Sequence, residues 1–499
     1  MRTRKFLILF IIFFIYKTSY AVDHVMRIGI PNQISKIHPF ESTTAQQDFI
    51  LPLIYESLII NEINGDTKPN LIKDWRVDER ERSFTFKIRN DVRFSDGSLL
   101  ILNDVLNSFK LACRHPLKSK DLSMIKGCAP QSKVKLGIEL NGDEVKIYVT
   151  THPSYLFSVL AGENILIVKK VNNQFIGTGP FKIKELNNDS LILEKNALNK
   201  FWSNGSQFNQ LQFIFIDEGQ LKNTIQKKKL HLFSMFLTSS MSQFLDKGYV
   251  TINHAPNVVQ AIALNSKVHP FNNHKLRNAI HYRLKQISFD QCILGARKTN
   301  GFIPKGVGGS FDSNELNFSI PKIQDLKLKF PFKVTFPRHV GRKNLCEENL
   351  IQKVFKEFNI DLVYEYHQNY DTLDPAVLNP KVPGFQELFV FKSRDASSHL
   401  KNMIPGNPQN FYLFESPLIK SILEDAWNAK DLRSRFNFYK KANRVIWDNS
   451  ILIDLYAIGH SNRIHKCLLP KKHDVSYYNP NSFLFLLQLD FNSNCNLGK

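Results

Sequence analysis

His460, His465, Cys467 and His473 form the one metal-like constellation in the chain, since imidazole and thiolate suit soft or borderline metals. His465-Lys466-Cys467 has neither zinc-finger spacing nor an evident partner helix, so surface histidines beside a disulfide cysteine account for it better. No metal site and no cofactor is expected. Catalysis has no footing either: the chain carries no P-loop, GxSxG, HExxH, or GxGxxG placed between strand and helix, and no catalytic residue is assigned. The six cysteines invite disulfides if the protein is exported. Cys113 and Cys128 are close enough that bridging them would stabilise by about 3 kcal/mol in the chain-entropy model. Cys467 and Cys495 form a second candidate pair, and the pairing of Cys292 and Cys346 cannot be deduced.

Export is what the first residues indicate. Arg2, Arg4 and Lys5 precede an apolar run from Phe6 to Tyr16, and Ser19-Tyr20-Ala21 supplies the small residues a signal peptidase reads. That run is too short to span a bilayer, which takes about 20 residues. No cysteine adjoins the cleavage point, which disfavours a lipoprotein anchor and favours a soluble periplasmic protein cleaved near Ala21. The formal charge of +21 falls to +17 without Arg2, Arg4, Lys5 and Lys17. Basic residues are scattered, with short runs such as Lys227-Lys228-Lys229, and no zinc-finger, helix-turn-helix or RNP-type motif accompanies them, so no nucleic-acid partner is expected. A chain of 499 residues, 43% hydrophobic, holds two or three domains by length.

Local signals are densest from Trp75 to Phe109. Phe84, Phe86 and Ile88 alternate with Thr85, Lys87 and Arg89, which predicts a strand with one apolar face. Ser95-Asp96-Gly97-Ser98 predicts a turn with glycine where positive φ is cheap. Asn103 or Asp104 then caps a helix that buries Val105, Phe109 and Ala112. Elsewhere the pattern predicts a strand over Val25 to Ile30 and helices over Asp48 to Ile60 and Pro153 to Ala161. A further helix from Asp431 to Trp447 has Leu432, Phe436, Tyr439, Val445 and Ile446 inward. Trp75, Trp202 and Trp447 read as core aromatics.

The run DWRVDERERSFTFKIRNDVRFSDGSLLILNDVLNSF resembles the segment by which the family 5 extracellular solute-binding proteins are recognised, the periplasmic peptide, dipeptide and nickel binders of ABC importers. Ile54-Tyr55-Glu56-Ser57-Leu58 is similar to the family's "LYEGL" element. Gly177-Thr178-Gly179-Pro180-Phe181 is similar to "GTGPY/F", and Phe201-Trp202 to "YW". His274 to Leu284 is similar to its "VRxAxxxAID" helix, with Arg283 and Leu284 departing from it.

The resemblance implies an α/β, two-lobed periplasmic-binding-protein fold of type II, the large peptide-binding class, with a small inserted domain. The first lobe would comprise 22–62, 175–264 and 455–499, the inserted domain 63–174, and the second lobe 265–454, after a signal peptide over 1–21. The function implied is a monomeric receptor that captures a small-molecule or peptide ligand and delivers it to an ABC permease in the inner membrane; a non-transporting sensor or chaperone-like protein is the alternative. Ligand contacts would come from Asn32, Gln33, Ile34 and Ser35, which pair with an extended ligand in strand-like fashion unless they are ordinary turn residues. The second lobe would contribute Phe389, Val390, Phe391, Lys392 and Asp395. Aligning His399-Leu400 with the family's "FL" puts Lys392 where peptide binders keep the aspartate that meets the ligand amine, and Phe389 in place of a tryptophan. Three readings stay open: an anionic or carbonyl-rich ligand group, a shifted alignment in which Asp395 meets the amine, or Lys392 in solvent.

Overall fold

The computed structural model describes residues 25–31, 33–41, 45–61, 67–116, 118–161, 165–203, 207–216, 230–234, 248–293, 295–312, 315–316, 326–368, 370–391, 393–407, 410, 413–470, 486 and 489–491. The expected leader, Asn32, Lys392, His473 and Cys495 lie outside these residues.

The largest sheet among the described residues has eight strands. Its spatial order is Phe181–Leu186, Ser190–Lys195, Gln210–Ile216, Val25–Pro31, Leu232–Ser234, Leu452–His465, Tyr249–Leu264 and Gly384–Val390. Val25–Pro31 lies parallel to both its neighbours, and the remaining pairs are antiparallel. Alternation turns Met26, Ile28 and Ile30 into the first core.

Two long strands join the lobes. Tyr249–Leu264 and Leu452–His465 pair from Tyr249 opposite His465 to Ala263 opposite Leu452, with register slips on both sides of Pro256. A proline has no N–H for the ladder and is tolerated at a bulge, where a strand also bends. One end of this ribbon pairs with Leu232–Ser234, the other with Gly384–Val390. At that second end, Val259, Ala261 and Ala263 face a core containing Phe302, Leu400, Leu423 and Ile446, while Ile262 and Leu264 face another containing Phe271, Leu276, Phe336 and Phe355. Both faces of the sheet are therefore covered.

The Trp75 to Phe109 region folds much as its pattern predicts. Ser83–Ile88 lies between Ile72–Asp78 and Glu144–Tyr148 in a four-stranded antiparallel sheet completed by Ile138–Asn141. Phe84 and Phe86 are buried with Val105, Phe109 and Ala112. Gly97 has φ 92°, and Asp96 Oδ1 accepts hydrogen bonds from the Ser98 N–H (2.9 Å) and hydroxyl (2.6 Å). The helix spans Leu102–Arg114, with Ile101 at the N-cap. Asp104 caps it from the third helical position, its Oδ2 accepting the Ile101 N–H at 3.0 Å. Cys113 bridges Cys128, Cys292 bridges Cys346, and Cys467 is disulfide-bonded.

Three expectations need correction. The helix predicted from Asp48 to Ile60 is Ala45–Ile54, and Ile59–Asn61 is a strand. Glycines from far along the chain close over its end: the Gly179 N–H donates to the Ile54 carbonyl at 3.0 Å, and a Cβ at Gly179 would lie 2.5 Å from the Leu53 carbonyl oxygen. Trp75 is 45% exposed, on a strand at the edge of the small sheet, with its ring 5.5 Å from that of Phe157. Leu432, the first residue of Leu432–Asn449, is 53% exposed, because the helix meets the core only further along, through Tyr439 and Ile446.

Candidate functional site

The motif residues that carry the resemblance converge on one buried carboxyl. Glu56 accepts hydrogen bonds from Trp202 Nε1 (2.9 Å), Asn70 Nδ2 (3.3 Å) and Asn199 Nδ2 (3.3 Å). Burial pushes its pKa up to about 7, and these donors offset the shift only in part. The cavity bordered by Glu56, Thr178 and Arg89 measures about 20 Å³, room for a water at most. This cluster is scaffold, locking the end of the Ala45–Ile54 helix to the Gly177–Phe181 turn.

The expected ligand-binding residues divide between surface and core. Gln33 is exposed, with Nε2 donating to Asn188 Oδ1 at 3.1 Å; Ser35 is exposed, and Ile34 is buried in the first core. Phe389 and Phe391 are buried against Phe302, with ring centroids 5.2 and 5.5 Å away. Val390 pairs with Val258 and accepts a hydrogen bond from His399 Nε2 at 2.9 Å. Phe391 is fixed to the lobe crossing: its N–H donates to the Asn257 carbonyl (2.8 Å), and Asn257 Nδ2 donates to the Phe391 carbonyl (3.1 Å). Asp395 Oδ1 caps the Ser397–Leu400 turn through the Ser397 N–H at 2.9 Å, and Oδ2 lies 3.9 Å from Arg435 Nη1. Its charge thus already faces a buried guanidinium.

One layer in front of Asp395, the small domain meets the second lobe. Tyr155, on the helix Pro153–Val159, donates its hydroxyl to Ser397 Oγ at 2.9 Å and stacks on Trp427 with centroids 5.9 Å apart. Arg435 lies over the Tyr155 ring at 5.1 Å and reaches across to the Ser154 hydroxyl (3.1 Å) and the Ser158 hydroxyl (3.4 Å). Ion pairs Lys401–Asp121 (2.6 Å) and Lys430–Glu79 (3.0 Å) flank the contact.

Beside this seam is a cavity of about 420 Å³, within the range of small-molecule sites. Tyr155 and Trp427 give it an aromatic wall, Ser123, Thr150 and Thr151 hydroxyl groups, and Lys401 with Asp121 a charged rim. Neither expected segment lines it. Sequence reasoning passed over Tyr155, Trp427 and Lys401 because their partners lie far away in the chain; the one available signal was the proximity of Lys401 to the altered 389–395 segment.

Among the described residues no group of three or more His, Cys, Asp or Glu side chains could hold a metal ion. The His465 ring packs edge-on against Tyr249 at 5.1 Å, and its Nδ1 accepts the Cys467 N–H at 3.2 Å.

A model of the bacterial extracellular solute-binding proteins, family 5 middle, matches residues 66–327. The nickel-binding periplasmic protein of Escherichia coli (strain K12) is 23% identical over 270 residues, 51% of each chain, so the chain spans about half the length of that relative. The probable D,D-dipeptide-binding periplasmic protein DdpA of the same organism is 19% identical over 454 residues, 83% of this chain and 84% of that one. In structure, the periplasmic binding protein DppA from Helicobacter pylori, solved with the peptide STSA, superposes with a TM-score of 0.75 at 18% identity, covering 94% of this chain and 98% of that chain. Family match and fold agree: the chain belongs to the family 5 bacterial extracellular solute-binding proteins, with their two-lobed type II α/β fold and small inserted domain.

Proposed function

We propose that the protein is a periplasmic receptor that closes on a small solute, peptide-like or otherwise, and hands it to an ABC permease, without catalysing a reaction on it. The observation that carries this reading is the seam at Tyr155. A cavity of about 420 Å³ opens where the small domain touches the second lobe through polar and aromatic contacts, while the first lobe, whose core the small domain shares, is joined to the second by strands whose register slips at Pro256. Such a seam can part and re-form around a ligand, which is what hinge closure requires. Cleavage near Ala21, a monomeric state and the lobe limits given above belong to the same reading. The relatives' names range from nickel to D,D-dipeptide binding, so membership alone does not choose the cargo.

Native mass spectrometry of protein purified without denaturation, followed by a mixed peptide pool in a thermal-unfolding assay, tests the proposal. A retained solute, or a melting temperature raised by one, supports the receptor. No stabilisation by any small solute would favour the sensor or chaperone-like alternative.

A further inference from the structure

Four arginines are buried among the described residues: Arg277, Arg338, Arg435 and Arg463. Three have their charge answered. Arg338 holds Glu347 and Glu348 at 2.7 and 3.0 Å. Arg435 faces Asp395 and two hydroxyl groups. Arg277 donates to the carbonyls of Asn449 (3.1 Å) and Phe271 (2.7 Å), the first at the negative end of the Leu432–Asn449 helix.

Arg463 is different. It is 1% exposed, its Nε and Nη1 have no hydrogen-bond partner, and no carboxylate among the described residues comes within 4.0 Å of it. It lies on Leu452–His465, directly opposite Phe233 on one side and Thr251 on the other. Directly opposed residues share a sheet face. Phe233 in turn is opposite Gly29 and packs with Ile214, Ile216 and Leu230, so the guanidinium rises from an apolar layer of the first lobe. Guanidinium does not lose its proton in proteins, and leaving such a charge desolvated without a partner costs several kcal/mol. An apolar residue would be the cheaper occupant of this position unless an anion meets it.

We propose that Arg463 anchors an oxyanion site in the first lobe, one that takes the carboxylate or phosphate group of a small solute. Its donor fork suits planar and tetrahedral oxyanions. The site shares no residue with the cavity beside Tyr155, so it stands or falls separately from the receptor reading.

The test is thermal unfolding of the mature protein, dialysed free of oxyanions, with phosphate or acetate titrated in at ionic strength held constant with sodium chloride. The wild type should show a saturable rise in melting temperature with at least one of the two, phosphate and acetate separating the two ligand chemistries. Arg463→Met should abolish the rise and, in oxyanion-free buffer, melt above the wild type, because a desolvated charge has been removed. No saturable rise in the wild type, or an equal rise in Arg463→Met, overturns the site. Should Arg463→Met fail to fold, Arg463→Lys decides: loss of the fork should raise the half-saturating concentration at least tenfold, and an unchanged value overturns the site.

Discussion

Arg338 and Arg435 are both buried in the second lobe, but their surroundings are built for opposite purposes. Around Arg338 every partner is itself held. Glu347 also accepts from the Tyr456 hydroxyl (2.8 Å) and from Gln386 Nε2 (2.8 Å), Glu348 from the Tyr366 hydroxyl (2.5 Å), and Gln386 from the Tyr364 hydroxyl (2.7 Å). That mesh ties the parallel strands Phe332–His339 and Ile360–His367 to Gly384–Val390, to Leu452–His465 and to the first turn of the helix Leu345–Glu357. Arg435 instead reaches across the seam to the small domain through two hydroxyl contacts of 3.1 and 3.4 Å, and its nearest carboxylate, Asp395 of its own lobe, is 3.9 Å away. A densely bonded network is stiff and costly to open, and a thinly bonded contact can be broken and remade in each binding cycle. Under the proposed function, one arginine fixes a lobe and the other holds the closed state.

The hardest way to break this contrast is Arg338→Leu. It strands two buried carboxylates together, and losing one partner of a buried pair costs about 3–5 kcal/mol. Urea or thermal unfolding should show the loss, while solute affinity of the molecules that remain folded should stay within about twofold. A large change in affinity with intact stability would place Arg338 in the closure mechanism and erase the distinction.

Glu56 sharpens the comparison from the other side, as a buried carboxyl whose direct hydrogen-bond donors are all neutral. Its folded pKa of about 7 lies above the ordinary 4.5, raised by burial. The folded protein therefore keeps a proton that the unfolded chain releases. The associated stability is fully present below about pH 4.5 and is lost as pH rises through 7. Relative to Glu56→Gln, the wild type should lose roughly 3 kcal/mol across that window. Parallel pH profiles for the two proteins would show that neutral donors hold the carboxylate as well as Arg338 holds its glutamates.

What the sequence revealed follows the range of the forces involved. Ser83–Ile88, the Gly97 turn and the helix behind it were legible because alternation, a positive-φ glycine and an i, i+4 stripe are local. The Cys113–Cys128 bridge was legible for the same reason. The first helix was drawn too long because Ile59 and Ile60 continue its apolar pattern, whereas its actual end is set by Gly177 and Gly179 packing on the carbonyls of Leu53 and Ile54. Trp75 and Leu432 were placed inside because an apolar residue does not announce whether another element covers it. The seam was the least legible part. Arg435 sits among Arg433, Lys440 and Lys441 in a helix that reads as amphipathic, and nothing local distinguishes the one arginine that turns inward to meet Tyr155.

The mildest change tests the seam itself. Tyr155→Phe keeps the ring against Trp427 and under Arg435 and removes only the hydroxyl that Ser397 accepts from at 2.9 Å. A buried neutral hydrogen bond contributes about 1 kcal/mol net. If that bond forms when the lobes close, its loss shifts the open–closed balance, and solute affinity should weaken about fivefold, since an unfavourable closing equilibrium is subtracted from binding. The unfolding temperature without solute should barely move, because the open form makes no such bond. Isothermal titration with the retained solute, beside a melt of the empty protein, reads both quantities. Unchanged affinity with a lowered melting temperature would make the Tyr155 contact a permanent part of the fold, and Arg435 would then belong with Arg338.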